Sequence, residues 1–411
     1  MNLSKKIAFS KFLVASVILF SVLNTHARNR WIGTWVTAEQ LVEPHNNPPA
    51  PFLENNSLRQ IVQVSIGGKK IRVKFSNEFS KGPITINSAD VAVATTSGGS
   101  YEIFENTLKN LTFNGESTLT MEPGESAVSD PIKFKLDDRM NVAITIRFGQ
   151  ASSTSVTGHP GSRTASYIKE GQTSDFTNST ITEHWYVINT IETQVNSKKG
   201  YAVAILGNSI TDGRGSTTNE QNRWTDILSK RLLANKSTEK VAVMNLGLGG
   251  NCVLSGGLGP TALVRYNRDL FQQEGVKWIV LFEGVNDLGG YGDAIPKADK
   301  IIEVFKTITD QAHELGIFVY GATIMPFKGN NYYSENHEEG RQKLNNWIRN
   351  GGYLDGVIDF DKAIRNPLDT ISMNPDYIYQ NDWLHPNAEG HKVMGESVDL
   401  DLFKNFGNPV K

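Results

Sequence analysis

Three polar residues in the second half of the chain have the side chains that acyl transfer requires. Ser209 lies in the stretch GNSIT at residues 207–211, and Asp382 and His385 lie in NDWLHP at residues 381–386. A serine hydroxyl is a weak nucleophile until a base accepts its proton, and an imidazole can be that base. Asp382 precedes His385 by three residues, so its carboxylate can hold the other ring nitrogen and fix the tautomer. The pattern predicts a Ser209–His385–Asp382 triad.

The same reaction needs hydrogen-bond donors that receive the negative charge developing on the attacked carbonyl oxygen. The backbone N–H of Ser209, the N–H of Gly250 and the side-chain amide of Asn286 are the candidates. Gly250 lies in NLGLGGN at residues 245–251, and Asn286 lies in EGVND at residues 283–287. A glycine suits this role because its missing side chain lets the backbone approach a substrate closely.

Apolar runs alternate with helix-spaced apolar residues from about residue 200 onward. Strands are predicted at residues 203–206, 241–244, 278–282, 318–322 and 357–360, with helical spacing around residues 224–232 and 301–315. This alternation predicts a parallel sheet covered by helices on both faces. Ligands of such sheets bind beyond the carboxyl ends of the strands. The candidate stretches at 207–211, 245–251 and 283–287 each follow one of these strands, so we expect them to converge.

In the first half of the chain, the apolar residues recur at every second position instead of at helical spacing. From about residue 31 to residue 193, apolar and polar residues alternate in runs such as 60–66, 70–75 and 141–146. Turn signals at residues 67–68, 81–83, 97–99 and 123–124 separate these runs. Short alternating strands without a convincing helix predict an antiparallel β-sandwich. The polar stretch near residues 196–200 is the expected boundary.

The four stretches together resemble the SGNH hydrolase superfamily, also called GDSL-type esterases. The matching blocks are residues 207–210, 245–250, 284–287 and 382–385, and the resemblance covers about residues 202–394. It implies a flavodoxin-like three-layer α/β/α fold with a five-stranded parallel sheet, here preceded by an all-β sandwich. It also implies a serine hydrolase that uses no metal or other cofactor. By this resemblance Ser209 is the nucleophile, Gly250 and Asn286 complete the oxyanion hole, and Asp382 and His385 complete the triad.

Further stretches resemble a branch that includes xylan-esterase-like members. These are NRW at residues 222–224, GATIMPF at 321–327 and VIDF at 357–360, together with the opening WIGTW at 31–35. Two positions depart from the family. Asn208 stands where the family usually has Asp, which removes a charge beside Ser209. Gly249 stands where relatives more often carry another small residue, and Gly250 is preferred as the donor because it precedes Asn251.

The first residues have the pattern of a secretory signal peptide. Three lysines precede an apolar run at residues 12–23, which is short for a membrane span, and Thr25-His26-Ala27 offers a cleavage site. A short membrane anchor is the alternative. We therefore expect a signal peptide over residues 1–27, a jelly-roll-like accessory β-sandwich over 28–196 and an SGNH catalytic domain over 197–411. The mature protein is expected to be secreted or periplasmic, without a membrane span.

The composition argues against several other classes of protein. The chain of 411 residues is 39% hydrophobic and 20% charged, which is typical of globular proteins and not of disordered chains. Its formal net charge of −2 lacks the basic excess of a nucleic-acid-binding protein. The single cysteine, Cys252, excludes an intramolecular disulfide and is expected to be a buried, unreactive thiol. His385 and His391 have no further ligand nearby, so no metal site is expected.

Two more features have alternative interpretations. His159, within GHPG at residues 158–161, is expected in a surface turn, and reach into the cleft is the alternative. The aromatic residues of the β region are expected in its core, with a sugar-stacking face as the alternative. These aromatics are Trp31, Trp35, Trp185 and Tyr186.

The residues predict ester hydrolysis, and the resemblance together with export suggests the substrate. We expect an exported esterase that removes acetyl groups from plant-type polysaccharide. The alternatives are a lipid or aryl esterase or lysophospholipase, a non-catalytic carbohydrate-binding protein, and a peptidase with the same triad. A lipase usually needs an apolar acyl cleft, and no Leu- or Phe-rich insert lies near the motifs.

Overall fold

A computed structural model describes residues 30–195 and 200–409. The expected signal peptide, residues 1–27, and the expected junction between residues 196 and 197 lie outside the described residues. The described residues up to 195 form antiparallel sheets, and those from 200 onward form a parallel sheet with helices. No helix within these two ranges combines the length and the hydrophobicity needed to span a bilayer.

The β-sandwich part, residues 30–195, consists of strands connected by turns and short 3₁₀ helices at Pro44–Asn46 and Glu105–Thr107. The strands are β1 (Arg30–Val36), β2 (Gln40–Leu41), β3 (Ser57–Gln63), β4 (Gly68–Ser76), β5 (Ile84–Val93), β6 (Lys109–Leu111), β7 (Leu119–Met121), β8 (Ser126–Val128), β9 (Ile132–Leu136), β10 (Asn141–Phe148), β11 (Thr157–His159), β12 (Ser166–Lys169), β13 (Thr180–Thr182), β14 (Trp185–Tyr186) and β15 (Ile188–Val195).

Two antiparallel sheets enclose the core of this part. One has the order β1-β15-β4-β8 with β9 also paired to β4, and the other has the order β13-β12-β3-β10-β5-β6 with β7 also paired to β5. Ile71 and Val73 of the first sheet share a buried cluster with Val142 and Ile144 of the second. The sandwich predicted from the alternating runs is therefore confirmed. The strand predicted at residues 60–66 ends earlier, because the N–H of Ser65 leaves the ladder and donates to the carbonyl of Thr34.

The α/β part, residues 200–409, follows the strand–helix alternation of its sequence. It also has a π-helix at Asn267–Phe271 and 3₁₀ helices at Pro375–Tyr377 and Leu400–Phe403. Its other elements are β16 (Tyr201–Gly207), α1 (Ser209–Asp212), α2 (Trp224–Ala234), β17 (Val241–Gly247), α3 (Ala262–Tyr266), β18 (Val276–Phe282), α4 (Val285–Leu288), α5 (Ala294–Glu314), β19 (Phe318–Ala322), α6 (Glu335–Asn350), β20 (Gly356–Ile358), α7 (Phe360–Ile364), β21 (Arg365–Asn366), β22 (Asp369–Met373) and α8 (Ala388–Ser397).

The strands β17-β16-β18-β19-β20 form a parallel sheet in this order. This is the flavodoxin-like order, in which the chain changes direction across the sheet between the first strand and its two neighbours. Helix α2 packs against α8 and α5 packs against α6, so that helices cover both faces of the sheet. The α/β/α fold is therefore confirmed. Asp359 and Phe360 are the exceptions among the predicted strand residues, because β20 ends at Ile358, Asp359 caps α7 and Phe360 begins it.

The β-sandwich packs against β17, the strand at one edge of the parallel sheet. The edge strand β17 donates its Val243 N–H to the Ser65 hydroxyl at 3.1 Å. Strand β1 packs beside β17, and Ile32 is buried in the hydrophobic cluster of the α/β part. An uncovered edge strand would present unpaired N–H and C=O groups to other chains. The two parts thus share packed surface, and this contact continues to the candidate site.

Candidate active site

Ser209 is the first residue of a short helix at the carboxyl end of the central strand. Strand β16 ends at Gly207, and α1 begins at Ser209. Asn208 caps the helix, because its side-chain oxygen accepts a hydrogen bond from the N–H of Ile210 at 3.0 Å. Gly207 has no room for a side chain, since a Cβ there would collide with Thr211. This sharp turn from strand to helix presents the Ser209 hydroxyl at the sheet edge predicted from the sequence.

The structure brings Ser209, His385 and Asp382 together. The Ser209 hydroxyl lies 2.8 Å from Nε2 of His385, and Nδ1 of His385 lies 2.7 Å from a carboxylate oxygen of Asp382. The other carboxylate oxygen accepts the N–H groups of Leu384 and His385, each at 2.9 Å. Burial by itself would raise the pKa of Asp382, but these hydrogen bonds outweigh burial and hold the pKa below its usual value. Asp382 is therefore a charged acceptor that orients the imidazole.

The loop that holds these residues has a strained backbone. Gln380, Asn381 and Trp383 have φ angles of 47°, 59° and 58°, in the left-handed region that residues other than glycine rarely adopt. Such conformations cluster at functional sites, where surrounding contacts hold them in place. One such contact is the Asn330 side-chain amide, which donates to the carbonyl of Asp382 at 2.6 Å.

The predicted oxyanion donors line the same cleft as the triad. Ser209, Gly249, Gly250, Asn286 and His385 all border it. Gly250 has a φ of +65°, whereas Gly249 has an ordinary backbone conformation and free space for a Cβ. The geometry thus requires glycine at position 250 more strongly than at position 249. The choice of Gly250 as the donor stays a prediction.

The side-chain amide of Asn286 is fixed in orientation. Its nitrogen donates to the carbonyl of Asn251 at 2.7 Å, and its oxygen accepts the Tyr332 hydroxyl at 3.1 Å. An amide nitrogen carries two hydrogens, so one remains for a substrate oxygen in the cleft. Tyr332 was not among the predicted site residues, since nothing in its local sequence connects it to Asn286.

A buried charged network joins the strand ends beneath the candidate site. Arg265 is fully buried and donates to the carbonyls of Gly207 and Leu246, each at 2.9 Å. It also faces Glu283 at 3.4 Å, and Glu283 accepts the Asn208 amide at 3.1 Å. Burial raises the pKa of Glu283 to about 8, against the opposing charge of Arg265. The network fixes the ends of β16 and β17, where Ser209 and Gly250 follow.

The β-sandwich part contacts the candidate site through Asp212, the last residue of α1. Nε2 of His159 lies 2.8 Å from one carboxylate oxygen of Asp212, and Arg163 donates to the other at 3.1 Å. Gly161 packs so closely that a Cβ there would collide with this carboxylate. Burial opposes ionisation, but Arg163 and His159 outweigh it and lower the pKa of Asp212.

The expectation that His159 lies in a surface turn is therefore wrong. The residue is only 4% exposed, and its Nδ1 contacts the carbonyl of Ala38 at 2.8 Å. The turn after His159 is packed against the α/β part rather than exposed to water, which the turn signal alone could not indicate. The expectation for the aromatic residues is confirmed for three of them: Trp35, Trp185 and Tyr186 are buried.

Cys252 and His391, which the sequence analysis also considered, are both buried. Cys252 is buried, as expected, and burial raises the pKa of its thiol to about 12. His391 is also buried, and burial lowers its pKa to about 4. It accepts the Trp224 N–H at 3.3 Å and donates to the Arg214 carbonyl at 3.1 Å. Within residues 30–195 and 200–409, no three His, Cys, Asp or Glu side chains are grouped as a metal site would require.

Both parts of the chain form the walls of the cleft, which has a volume of about 400 Å³. Most of its lining side chains are polar, including Glu43, Arg163 and Arg214. The β-sandwich part contributes Gln40, Glu43, His45, Asn46, Pro160, Gly161, Arg163 and His184. The cleft can therefore hold a polar molecule with one end at Ser209.

Residues 205–393 match the family model described as the GDSL-like lipase/acylhydrolase family. These residues therefore form a domain of the GDSL-like lipase/acylhydrolase type within the chain. The matched range agrees with the span of about 202–394 expected for an SGNH hydrolase. Each of the four sequence blocks expected of an SGNH hydrolase contributes residues to the cleft or to its immediate support.

Solved structures give similar matches to about half of the chain. An acetyl xylan esterase, AlAXEase, is 20% identical, with 48% of this chain and 96% of that chain covered and a TM-score of 0.35. Axe2, an acetylxylan esterase from Geobacillus stearothermophilus, is 16% identical, with 49% and 94% covered and a TM-score of 0.36. A G-D-S-L family lipolytic protein from Veillonella parvula DSM 2008 is 17% identical, with 48% and 96% covered and a TM-score of 0.33. The comparison with curated proteins gives no match.

Asn208, one of the two positions that differ from the expected pattern, keeps one local contact and gains another. Asn208 still accepts from the N–H of Ile210, as the expected Asp would. Its amide also donates to Glu283, which an ionised Asp could not do. The exchange therefore avoids a second carboxylate beside buried Glu283.

Proposed function

We propose that the chain is a serine esterase that hydrolyses short-chain acyl esters, chiefly O-acetyl groups on plant-type polysaccharide. The observation that carries the proposal is the hydrogen-bonded series from Ser209 through His385 to Asp382. A serine with a base in hydrogen-bond reach, and a base oriented by a carboxylate, is the arrangement of an activated nucleophile. The match of residues 205–393 to the GDSL-like lipase/acylhydrolase family agrees with ester hydrolysis.

In the first half of the reaction, Nε2 of His385 accepts the Ser209 proton while the serine oxygen attacks the ester carbonyl carbon. The carbonyl electrons move to the oxygen, which accepts hydrogen bonds from the N–H groups of Ser209 and Gly250 and from Asn286. The bond to the alcohol oxygen then breaks, and His385 returns its proton to that oxygen. Asp382 stabilises the imidazolium during this step.

In the second half, water replaces the alcohol. His385 accepts a proton from water as its oxygen attacks the acyl carbon. Collapse of the second tetrahedral intermediate releases the carboxylic acid and restores the Ser209 hydroxyl with the proton from His385. Each half uses the same donors, so the site needs no rearrangement between them.

The cleft supports a sugar substrate over a lipid. Its lining is mostly polar, whereas a long acyl chain needs a continuous apolar surface. Glu43, His184 and Arg214 in this lining can form hydrogen bonds with a hydroxyl-rich substrate. We include the domain division in the proposal: an accessory β-sandwich over residues 28–196 and a catalytic domain over 197–411 that together form the cleft wall. Export through the signal peptide at residues 1–27 would bring the enzyme to polymeric substrate.

Acetate release from acetylated xylan, pectin and xyloglucan, measured side by side, tests the proposal. We expect release from at least one polymer, and Ser209→Ala should lower kcat by roughly 10⁴ to 10⁶. Ser237→Ala is the matched control, because that serine is exposed in a loop after α2. Equal turnover by Ser209→Ala and wild type would remove Ser209 as the nucleophile.

Aryl esters of increasing acyl length separate the alternatives. Activity that falls steeply from acetyl to octanoyl supports the carbohydrate esterase, whereas a maximum at octanoyl would favour a lipid esterase. A folded protein that binds the polymers without hydrolysing any ester would instead be a non-catalytic carbohydrate-binding protein. Peptide hydrolysis without ester hydrolysis would indicate the peptidase.

A further inference from the structure

An exposed leucine lies against the glycine predicted as an oxyanion donor. Leu258 is 47% exposed and borders the cleft together with Ser209 and Asn286. Its Cγ and Cδ1 stand 3.0 Å from the point where a Cβ on Gly250 would lie, so the side chain covers this glycine directly. A large apolar side chain gains free energy when it is covered. Leu258 therefore offers an apolar surface to a substrate group within a mostly polar cleft.

Glycines on both sides of Leu258 hold it in this position. Gly257 and Gly259 have φ angles of +70° and +64°, which favour glycine. A Cβ on Gly257 would collide with the carbonyl of Gly250, and the N–H of Leu258 donates to that carbonyl at 3.0 Å. The Asn251 amide donates to the carbonyl of Leu258 at 2.9 Å. These contacts hold the backbone of Leu258 against Gly250 and Asn251, which follow β17.

The reaction geometry determines which part of an ester Leu258 meets. The alcohol oxygen must lie beside Nε2 of His385, because His385 returns its proton there. The carbonyl oxygen lies at the donors, so the acyl chain extends from the carbonyl carbon away from His385. Leu384, which also borders the cleft, directly precedes His385 in the sequence. Leu258 lies on the Gly250 side.

We propose that Leu258 determines the acyl length that the enzyme accepts. Its side chain closes the space behind the carbonyl carbon, so that an acetyl methyl fits against it and a longer chain does not. This inference rests on the proposed function, with Ser209 as the nucleophile. It adds a specificity-determining residue outside the four family blocks.

The experiment compares kcat/KM for p-nitrophenyl acetate and butyrate between wild type and Leu258→Ala. We expect the butyrate-to-acetate ratio to rise at least about 10-fold in the variant, because two additional buried methylenes contribute about that factor. Leu258→Phe should lower the ratio below the wild-type value. Leu263→Ala is the matched control: Leu263 lies on α3, is 45% exposed and is not among the residues lining the cleft. Its ratio should stay within about twofold of wild type.

Different outcomes separate this inference from the proposed function. If wild type hydrolyses acetate and Leu258→Ala leaves the butyrate-to-acetate ratio unchanged, Leu258 does not contact the acyl chain and the inference is overturned. The same holds if Leu258→Ala changes the preference between p-nitrophenyl and 4-methylumbelliferyl acetate instead, since Leu258 would then lie on the alcohol side. If wild type hydrolyses no ester, the proposed function itself fails.

Discussion

Replacing Tyr332 by Phe tests how Asn286, the proposed oxyanion donor, is held. The Tyr332 hydroxyl donates to the Asn286 side-chain oxygen at 3.1 Å, and the Asn286 nitrogen donates to Asn251 at 2.7 Å. Both contacts fix the plane of the amide, so that its second hydrogen can face the substrate. Tyr332→Phe removes the first contact and keeps the ring. Asn286 then becomes free to rotate away from the productive orientation.

The size of the effect follows from the contact that is lost. A neutral hydrogen bond contributes about 0.5–1.5 kcal/mol net, which corresponds to a factor of about 2 to 13. We therefore expect Tyr332→Phe to lower kcat about 3- to 10-fold with little change in KM. Asn286→Ala removes the donor itself and should lower kcat by about 10² to 10³. Because both changes act through one donor, the double variant should be no slower than Asn286→Ala alone.

Steady-state kinetics with p-nitrophenyl acetate measure all four proteins, and urea denaturation verifies that they are folded. Tyr333→Phe is the matched control, because Tyr333 is a half-buried neighbour whose hydroxyl has no hydrogen bond to the described residues. It should retain wild-type kcat. Multiplicative losses in the double variant would refute the reasoning, since they would mean that Tyr332 does not act through Asn286. A rise in KM at unchanged kcat would refute it equally.

Two predictions concern buried charges. His159→Ala should lower the free energy of unfolding by roughly 2–4 kcal/mol, because buried Asp212 then keeps only its contact with Arg163. A change below about 0.5 kcal/mol in urea denaturation would mean that the contact between His159 and Asp212 does not stabilise the fold. Glu283 has a pKa of about 8 when folded and an ordinary value of 4.5, so the folded protein retains a proton that the unfolded chain releases. Unfolding free energy should therefore fall by up to roughly 4–5 kcal/mol between pH 4.5 and 8 in wild type. Glu283→Gln should remove this contribution, and equal pH slopes would argue against it.

The sequence predicted the parts of the site that depend on residues close together in the chain or on the ends of parallel strands. Ser209 follows an apolar strand and a glycine, and parallel strands bring their carboxyl ends to one edge, so its position could be inferred. His385 and Asp382 are three residues apart, so their contact is local. Their approach to Ser209 crosses 176 residues and was inferred from the resemblance and the chemistry rather than from any pattern.

The features that were missed depend on packing between distant segments. His159 lies in a stretch with strong turn residues, and its partner Asp212 is 53 residues away. Tyr332 reaches Asn286 from a loop 46 residues further along the chain. Glu283 and Arg265 have ionisable side chains that are fully buried against each other beneath the strand ends. In each case the role of the side chain depends on a contact with a distant segment, and the spacing of apolar residues along the sequence does not predict such contacts.

The central claim is that Ser209 is the nucleophile, and covalent labelling tests it most directly. Diethyl p-nitrophenyl phosphate phosphorylates an activated serine and releases p-nitrophenolate, and peptide mass spectrometry locates the diethylphosphoryl group. The account predicts one label per chain, on Ser209, formed in parallel with the loss of acetyl ester hydrolysis and much more slowly in His385→Ala. Complete inactivation with Ser209 unmodified, or labelling that is equally fast without His385, would contradict the account.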